Sequence, residues 1–284
     1  MAAPTINYET KKLVAFLDVM GFKELLKTGH LSKLQKYYDI ANEYLDGKAG
    51  LYRDTASNDN FQRIFVSDSI IMSIDLIGDK SSHDIDRVRR FFSAVSLLQY
   101  LLATKAQVWT RGAISVGNLF MDQATQTLVG PAYIQAYELE SKADYPRVII
   151  DPRVFAFFEM SAKGFKQRIH DPNNNGTHII VPELGGSVAL PKMQNEAVFL
   201  DWFRQSFDRT ENLDFFFEDL SERIFLKQDI FEKGNKLIRY LVECYIERTS
   251  IALDRQFRSR AETIKLKIDA ASGLNLPAMN YRGQ

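Results

Sequence analysis

Apolar positions along the chain follow two rhythms. The first is the short, near-continuous run of a buried strand. Residues 13–17 (LVAFL) lead straight into one carboxylate, Asp18, and then into Val19, Met20, Gly21 and Phe22. Residues 61–74 hold two more β-rich runs, FQRIFV and SIIMSI, on either side of Ser67-Asp68, and this predicts a hairpin with Asp68 at or near its tip. Residues 107–119 alternate as a further strand, 119–130 as a hairpin turning around 122–125, and 147–151 as another strand. The second rhythm is helical. It covers Phe22–Lys27, then Leu31–Leu45, where Leu31, Leu34, Tyr37, Tyr38 and Ala41 share a face, then residues 86–103. Pro131 suits a first helical position and opens a helix over 132–143, and 152–159 is helical too. Residues 167–170 and 177–181 flank the asparagine-glycine turn signal DPNNNG. Residues 183–195 read as loop, and from Glu196 onward the pattern is helical, interrupted near Gly234-Asn235.

This order predicts an α/β (α+β) fold: a mostly antiparallel, ferredoxin-like sheet with helices on one face. Residues 1–182 would form the catalytic domain and 183–284 a mostly helical C-terminal extension. An apolar stripe through Phe231, Leu237, Leu241 and Tyr245 would pack that extension on its own domain or help hold a dimer.

Composition removes several function classes. Lys+Arg and Asp+Glu are both 36, so there is no basic field to favour nucleic acid or an anionic membrane. A single cysteine, Cys244, excludes an intramolecular disulfide framework and a multi-cysteine zinc site. The four histidines lack metal-ligand spacing, and no P-loop, Rossmann or nucleophile-elbow motif is present. The N-terminal residues lack a signal-peptide core, and no run is long enough to span a bilayer. The expectation is a soluble, cytoplasmic protein that binds neither nucleic acid nor membrane.

Asp18 carries the first candidate chemistry. A carboxylate at the end of a buried strand needs a counter-charge, because burying an unpaired charge is costly. Gly21 allows a tight turn, and the amides of Met20, Gly21, Phe22 and Lys23 lead into a helix start, a position that favours phosphate. Asp68 lies fifty residues further on, and a strand end and a hairpin tip can meet in a βαββ unit. Two carboxylates meeting there suit two divalent cations and phosphoryl or nucleotidyl transfer. Either aspartate alone reads as an ordinary turn or capping residue; the pair in this order points to function. Tyr52-Arg53 places an aromatic beside a base in a polar loop, fit either to stack on a nucleobase or to cap the core. Arg111 lies within a strand, where an ion pair ranks above a phosphate contact.

Four blocks in order, FLDVMGF, FVSDSIIMS, RGAISVGNL and VGPAYIQAYELESKADYPRVIID, resemble the class III nucleotidyl cyclase catalytic domain, and more closely the pyrimidine cyclases of the bacterial Pycsar anti-phage system. The resemblance runs from about Leu13 to Asp151, roughly half the chain. It implies a cyclase fold, two Mg²⁺ or Mn²⁺ ions on Asp18, Asp68 and the Val19 carbonyl, and a nucleoside triphosphate substrate, with UTP ahead of CTP. It also implies a head-to-tail homodimer with composite sites, and a cyclic product that acts on a separate effector. In the family, the helix after Pro131 carries an Asn and, one turn later, an Arg that stabilise charge at the transferring phosphate. Here Ile134 or Gln135 stands at the Asn position and Glu138 at the Arg position; Lys142 lies a further turn along. Gln135 can replace Asn as a donor, but Glu138 cannot replace a cation, so Lys142 or Arg111 is the expected source of charge. The alternatives are a purine or diguanylate cyclase, another two-metal nucleotidyltransferase, or a degenerate cyclase fold that senses nucleotides. FVSDSI lacks the Gly-Gly-acidic-acidic-Phe hairpin of diguanylate cyclases; Glu138 is the best support for the degenerate fold.

Overall fold

The structure, a computed structural model, describes residues 6, 10–46, 61–78, 80, 82–169, 179–180, 197–202, 233, 234, 237 and 240. Tyr52, Arg53, Cys244, the DPNNNG turn, the 183–195 loop and the C-terminal stripe apart from Leu237 lie outside the described residues.

The central strand is β1 (Lys11–Val19). Its alternate side chains serve two different cores. Leu13, Ala15, Leu17 and Val19 join the larger core with α2 (Leu31–Leu45) and α3 (Ser82–Leu101). Val14 and Phe16 join a smaller core with α4 (Pro131–Glu140). Burial on both faces is why this stretch reads as a continuous apolar run rather than an alternating one.

β1 lies between β3 (Ser69–Asp75) and β4 (Thr110–Asn118), antiparallel to both, and β3 pairs with β2 (Gln62–Val66). The order β2-β3-β1-β4, with helices after β1 and β3, is the split βαββαβ arrangement expected from the sequence. A two-stranded ribbon, β5 (Phe120–Asp122) and β6 (Thr127–Val129), precedes α4. The main sheet continues through β7 (Val148–Ile150), which runs parallel to β4. Beyond β7, after α5 (Pro152–Phe157) and α6 (Ala162–Ile169), come β8 (Ile179–Ile180) and β9 (Phe199–Leu200) in the order β7-β9-β8. The fold is therefore mixed α/β with a mostly antiparallel sheet.

Four expectations are corrected. Not every helix lies on one face: α4 covers the face opposite α2 and α3, because Ala132 and Ala136 are small enough to sit against Val14 and Phe16. That helix ends at Glu140 rather than 143, and Lys142 falls in the turn that follows, where the Ala143 amide donates to the Glu140 carbonyl at 2.7 Å. Gln167 belongs to α6, not to a hairpin arm. Phe199–Leu200, expected to be helical, is a strand whose backbone completes the sheet beside β7. Of the break expected near Gly234-Asn235, Lys233 and Gly234 are helical, and Asn235 lies outside the described residues. Among the described residues, no helix is long and apolar enough to cross a membrane.

Gly112 on β4 pairs opposite Leu17, and the two backbones approach so closely that a Cβ at 112 would stand 2.2 Å from the Phe16 carbonyl oxygen and 2.8 Å from Leu17 Cδ2. Neither atom belongs to a freely moving group. Gly112→Ala is expected to cost about 1–3 kcal/mol, as overpacking does, and to lower the melting temperature by about 3–10 °C. An unchanged melt would show that β1 and β4 can part without loss.

Candidate active site

The strand register sets the site. Asp18, next to last on β1, lies opposite Ser69 on β3 and Arg111 on β4, on the α4 side of the sheet. Ser69 Oγ donates to Asp18 Oδ1 at 3.2 Å, and Arg111 Nη2 stands 3.9 Å from Oδ2. Past Asp18 the chain is held on both sides. The Val19 amide donates to the Asp68 carbonyl at 3.2 Å, and the Met20 amide donates to the Trp109 carbonyl at 2.8 Å. Gly21 then turns the backbone at φ 78°, a left-handed conformation that suits glycine, into α1 (Phe22–Lys27). Met20 is buried, Gly21 and Phe22 are half-buried, and Lys23 is exposed.

Asp68 is the second residue of the two-residue link between β2 and β3, since Val66 and Ser69 are the last register pair. Ser67 before it adopts φ 54°, a left-handed conformation uncommon for a residue with a side chain. Two tyrosines of α2 reach this link: Tyr38 Oη donates to the Ser67 carbonyl at 2.5 Å, and Tyr37 Oη donates to the Asp68 carbonyl at 3.2 Å. Burial raises the pKa of both phenols, and the nearby Asp68 charge adds to it, so both stay protonated and act as donors.

Electrostatically the site is crowded with negative charge. Burial, and then the neighbouring Asp68 and Glu140 carboxylates, push Asp18 up to about 6, with Arg111 and the Ser69 hydroxyl opposing. Glu140, the last residue of α4, is buried, and its Oε1 forms a 2.5 Å ion pair with Arg111 Nε. Burial also raises the Glu140 pKa; Arg111 lowers it and Asp68 raises it further. The result is a row of charges, Asp18–Arg111–Glu140, beside Asp68. Sequence reasoning missed Glu140. The available signal was its spacing, since Ala132, Ala136 and Glu140 recur every fourth residue on one face. A carboxylate in such a stripe requires a cation opposite it.

The remaining candidates are dispersed. Ser115 Oγ stands between Gln135 Oε1 at 3.1 Å and Asp151 Oδ2 at 2.9 Å, and its one proton serves either acceptor. Ser115 lies four residues along β4 from Arg111, roughly 13 Å at ordinary strand rise, so Gln135 does not reach Asp18 within one chain. Glu138 and Lys142 are exposed.

The donor set suits a hard divalent cation. Two carboxylates and main-chain oxygens meet at one sheet end, and the Asp18 carboxyl is raised first by burial and then by the Asp68 and Glu140 charges, costs that a bound cation would relieve. Among the described residues, no three His, Cys, Asp or Glu side chains cluster as a metal cage. Mg²⁺-type sites need none: they use one or two carboxylates and leave other positions to water and substrate phosphate.

No family model matches the chain, and no curated protein matches it. Among solved structures, it is similar to the catalytic core of a rhodopsin-guanylyl cyclase with converted specificity in complex with ATPαS, at 15% identity and TM-score 0.38, over 68% of this chain and 95% of that one. It is also similar to the guanylyl cyclase Cya2, at 13% identity and TM-score 0.35, over 69% of this chain and 93% of that one. A third is an adenylate/guanylate cyclase/hydrolase from Silicibacter pomeroyi, at 13% identity and TM-score 0.35, over 67% of this chain and 95% of that one.

Proposed function

We propose that the chain is a class III nucleotidyl cyclase, converting a nucleoside triphosphate to its 3′,5′-cyclic monophosphate and pyrophosphate. The observation that carries this reading is the meeting of Asp18 and Asp68 at adjoining strand ends of a split βαββαβ sheet, close enough that the Asp68 charge adds to burial in raising the Asp18 carboxyl. The four sequence blocks supply the choice of cyclisation over other phosphoryl transfers. In the reaction the ribose 3′-oxygen bonds to the α-phosphorus, and the bond from that phosphorus to the bridging oxygen breaks. Pyrophosphate leaves with the bridging oxygen, and the 3′-hydroxyl proton passes to solvent.

Asp18, Asp68 and the Val19 carbonyl would hold two divalent cations. When bound, these lower the pKa of the 3′-hydroxyl and neutralise the triphosphate. Ser69 and Arg111 orient the Asp18 carboxylate. The amides of Met20, Gly21, Phe22 and Lys23 would bind the β- and γ-phosphates, with Gly21 turning the backbone towards them. A pyrimidine base, with uracil ahead of cytosine, would stack at Tyr52-Arg53. The product would serve anti-phage defence by activating a separate effector in the cytoplasm. A two-fold homodimer would bring the partner's Gln135 and Lys142 to each site. The exposed apolar surface of α4 supports this, with Ile134 exposed at 54% and Tyr137, although its ring meets Phe16 edge-on, exposed at 53%. The C-terminal extension beyond the Phe199–Leu200 strand, which joins the sheet, would accompany the catalytic domain.

The test is product formation with Mn²⁺ and each of the four ribonucleoside triphosphates, followed by subunit mixing. Cyclic UMP as the main product is expected. Mixing inactive Asp68→Asn chains with inactive Gln135→Ala/Lys142→Ala chains should restore roughly a quarter of wild-type activity, because about half the dimers are mixed and each has one intact site. Activity only on purines would overturn the base assignment. No recovery despite mixed dimers confirmed by mass spectrometry would overturn the composite site. A second reading, nucleotide binding without turnover, draws support from Glu138 and from the engagement of Arg111 by Glu140. Nucleotide bound with no product would favour it.

A further inference from the structure

We propose that Tyr37 and Tyr38 are positioning residues of this site: side by side on α2, their hydroxyls hold the two consecutive carbonyls of the Ser67-Asp68 link and so fix the direction in which Asp68 leaves the sheet. The inference rests on the reading of Asp68 as a cation ligand. Its physical argument begins with the link itself. A left-handed residue with a side chain costs about 1–2 kcal/mol, and Ser67 at φ 54° persists only if its surroundings hold it there. Within the hairpin itself the outward carbonyls of the tip have no ladder partners, so donors from outside the hairpin, the α2 hydroxyls and the Val19 amide, decide whether the tip is rigid.

Two features make these tyrosines more than core packing. Consecutive helical residues diverge by about 100°, yet both hydroxyls converge on adjacent peptide groups. Tyr37 is completely buried, and its ring meets Tyr38 edge-on at 4.9 Å, while Tyr38 leans on Phe65 of β2 at 5.9 Å. Neither ring can swing away without disturbing the other. The Asp68 carbonyl also accepts from the Val19 amide, so Tyr37, Asp68 and the residue after Asp18 are joined through one oxygen. Because the tyrosines bond the main chain, the Asp68 carboxylate is left for a ligand.

The test removes only the hydroxyls, through Tyr37→Phe, Tyr38→Phe and the double variant, in the full chain. Mn²⁺ binding is read by electron paramagnetic resonance of the free ion, cyclase kinetics by kcat and the KM for Mn²⁺, and Val19 amide exchange by NMR with Leu17 as the reference. The double variant is expected to bind Mn²⁺ about tenfold more weakly, the effect of losing an outer-shell partner. Its kcat should recover at saturating Mn²⁺, and Val19 should exchange faster relative to Leu17. Unchanged Mn²⁺ affinity with only a lowered melting temperature would overturn the proposal and leave the tyrosines as packing residues. If wild type and Asp68→Asn bind Mn²⁺ equally, the cation reading itself has failed. Val19 exchange then decides: faster exchange in Tyr37→Phe sustains the hold on the link, and unchanged exchange overturns it.

Discussion

Asp18→Asn should abolish turnover and, in the absence of divalent cations, make the protein harder to melt at neutral pH. The first half follows from the proposed ligand set: losing a carboxylate that binds cations should lower kcat/KM by three orders of magnitude or more, about 4 kcal/mol of barrier. The second half follows from the raised pKa. Burial, Asp68 and Glu140 hold Asp18 at about 6 against an ordinary 3.8, so the folded state keeps a proton that the unfolded chain releases. Stability from this group is fully present below the unfolded value and is lost as pH rises through about 6. At pH 7 the wild type therefore bears a charging cost that Asn does not. Asp18 is partly open to solvent, and screening cuts the gain to about 1 kcal/mol, or about 2–4 °C. Melts in EDTA from pH 4 to 7.5 should show a decline in the wild type that the variant lacks. Mn²⁺ should then raise the wild-type melt but not the variant's. Full activity in the variant, or a lower melt than wild type at pH 7 without cation, would sink the assignment. Asp68→Asn should likewise lose turnover.

The second large effect concerns Arg111. It is the charge that lets Glu140 sit buried beside two aspartates, with an ion pair at 2.5 Å on one side and Asp18 at 3.9 Å on the other. Arg111→Met removes that charge and keeps most of the volume. Breaking a buried pair from one side costs about 3–5 kcal/mol, and partial exposure of Arg111 lowers the expectation to about 2–3 kcal/mol, a drop in melting temperature of about 5–10 °C. Adding Glu140→Met should restore most of that loss, because no orphaned carboxylate remains. Turnover should stay low in both, since Asp18 has lost its orienting cation. The check is a double-mutant cycle of melts. A double variant no more stable than Arg111→Met would mean that Glu140 does not depend on this partner.

The central architecture was legible because β1 to β4 stand out as short apolar or alternating runs, with helices of helical period after β1 and β3 and only a two-residue link between β2 and β3. Asp18 stood out because a carboxylate that ends an apolar run is conspicuous. α4 was harder to read. Its fully buried apolar residues are only Ala132 and Ala136, while the larger Tyr133, Ile134, Tyr137 and Leu139 stay partly or largely exposed, so the apolar pattern does not single out the face turned to the sheet. Glu140 was hidden for the same reason, as a charged residue on what looks like the polar side. The strand at Phe199–Leu200 spans two residues, too few to display any period, and only its pairing with Ile149 and the β8 backbone defines it. Arg111 was weighed between ion pair and phosphate contact; its pairing depended on a residue 29 positions away on an element whose side of the sheet could not be read.

The seating of Asp18 bears on how such a protein can change over time. The carboxylate grows from the strand that has neighbours on both edges and packed cores on both faces, so its location is inherited with the fold itself. Substitutions that moved it would have to disturb both cores at once. Exposed positions near this sheet end, such as Lys23 and Lys142, take no part in either core and can be rewritten singly. For the proposed cyclase, the carboxylate would thus be the conservative part of the site and the choice of nucleotide the portable one.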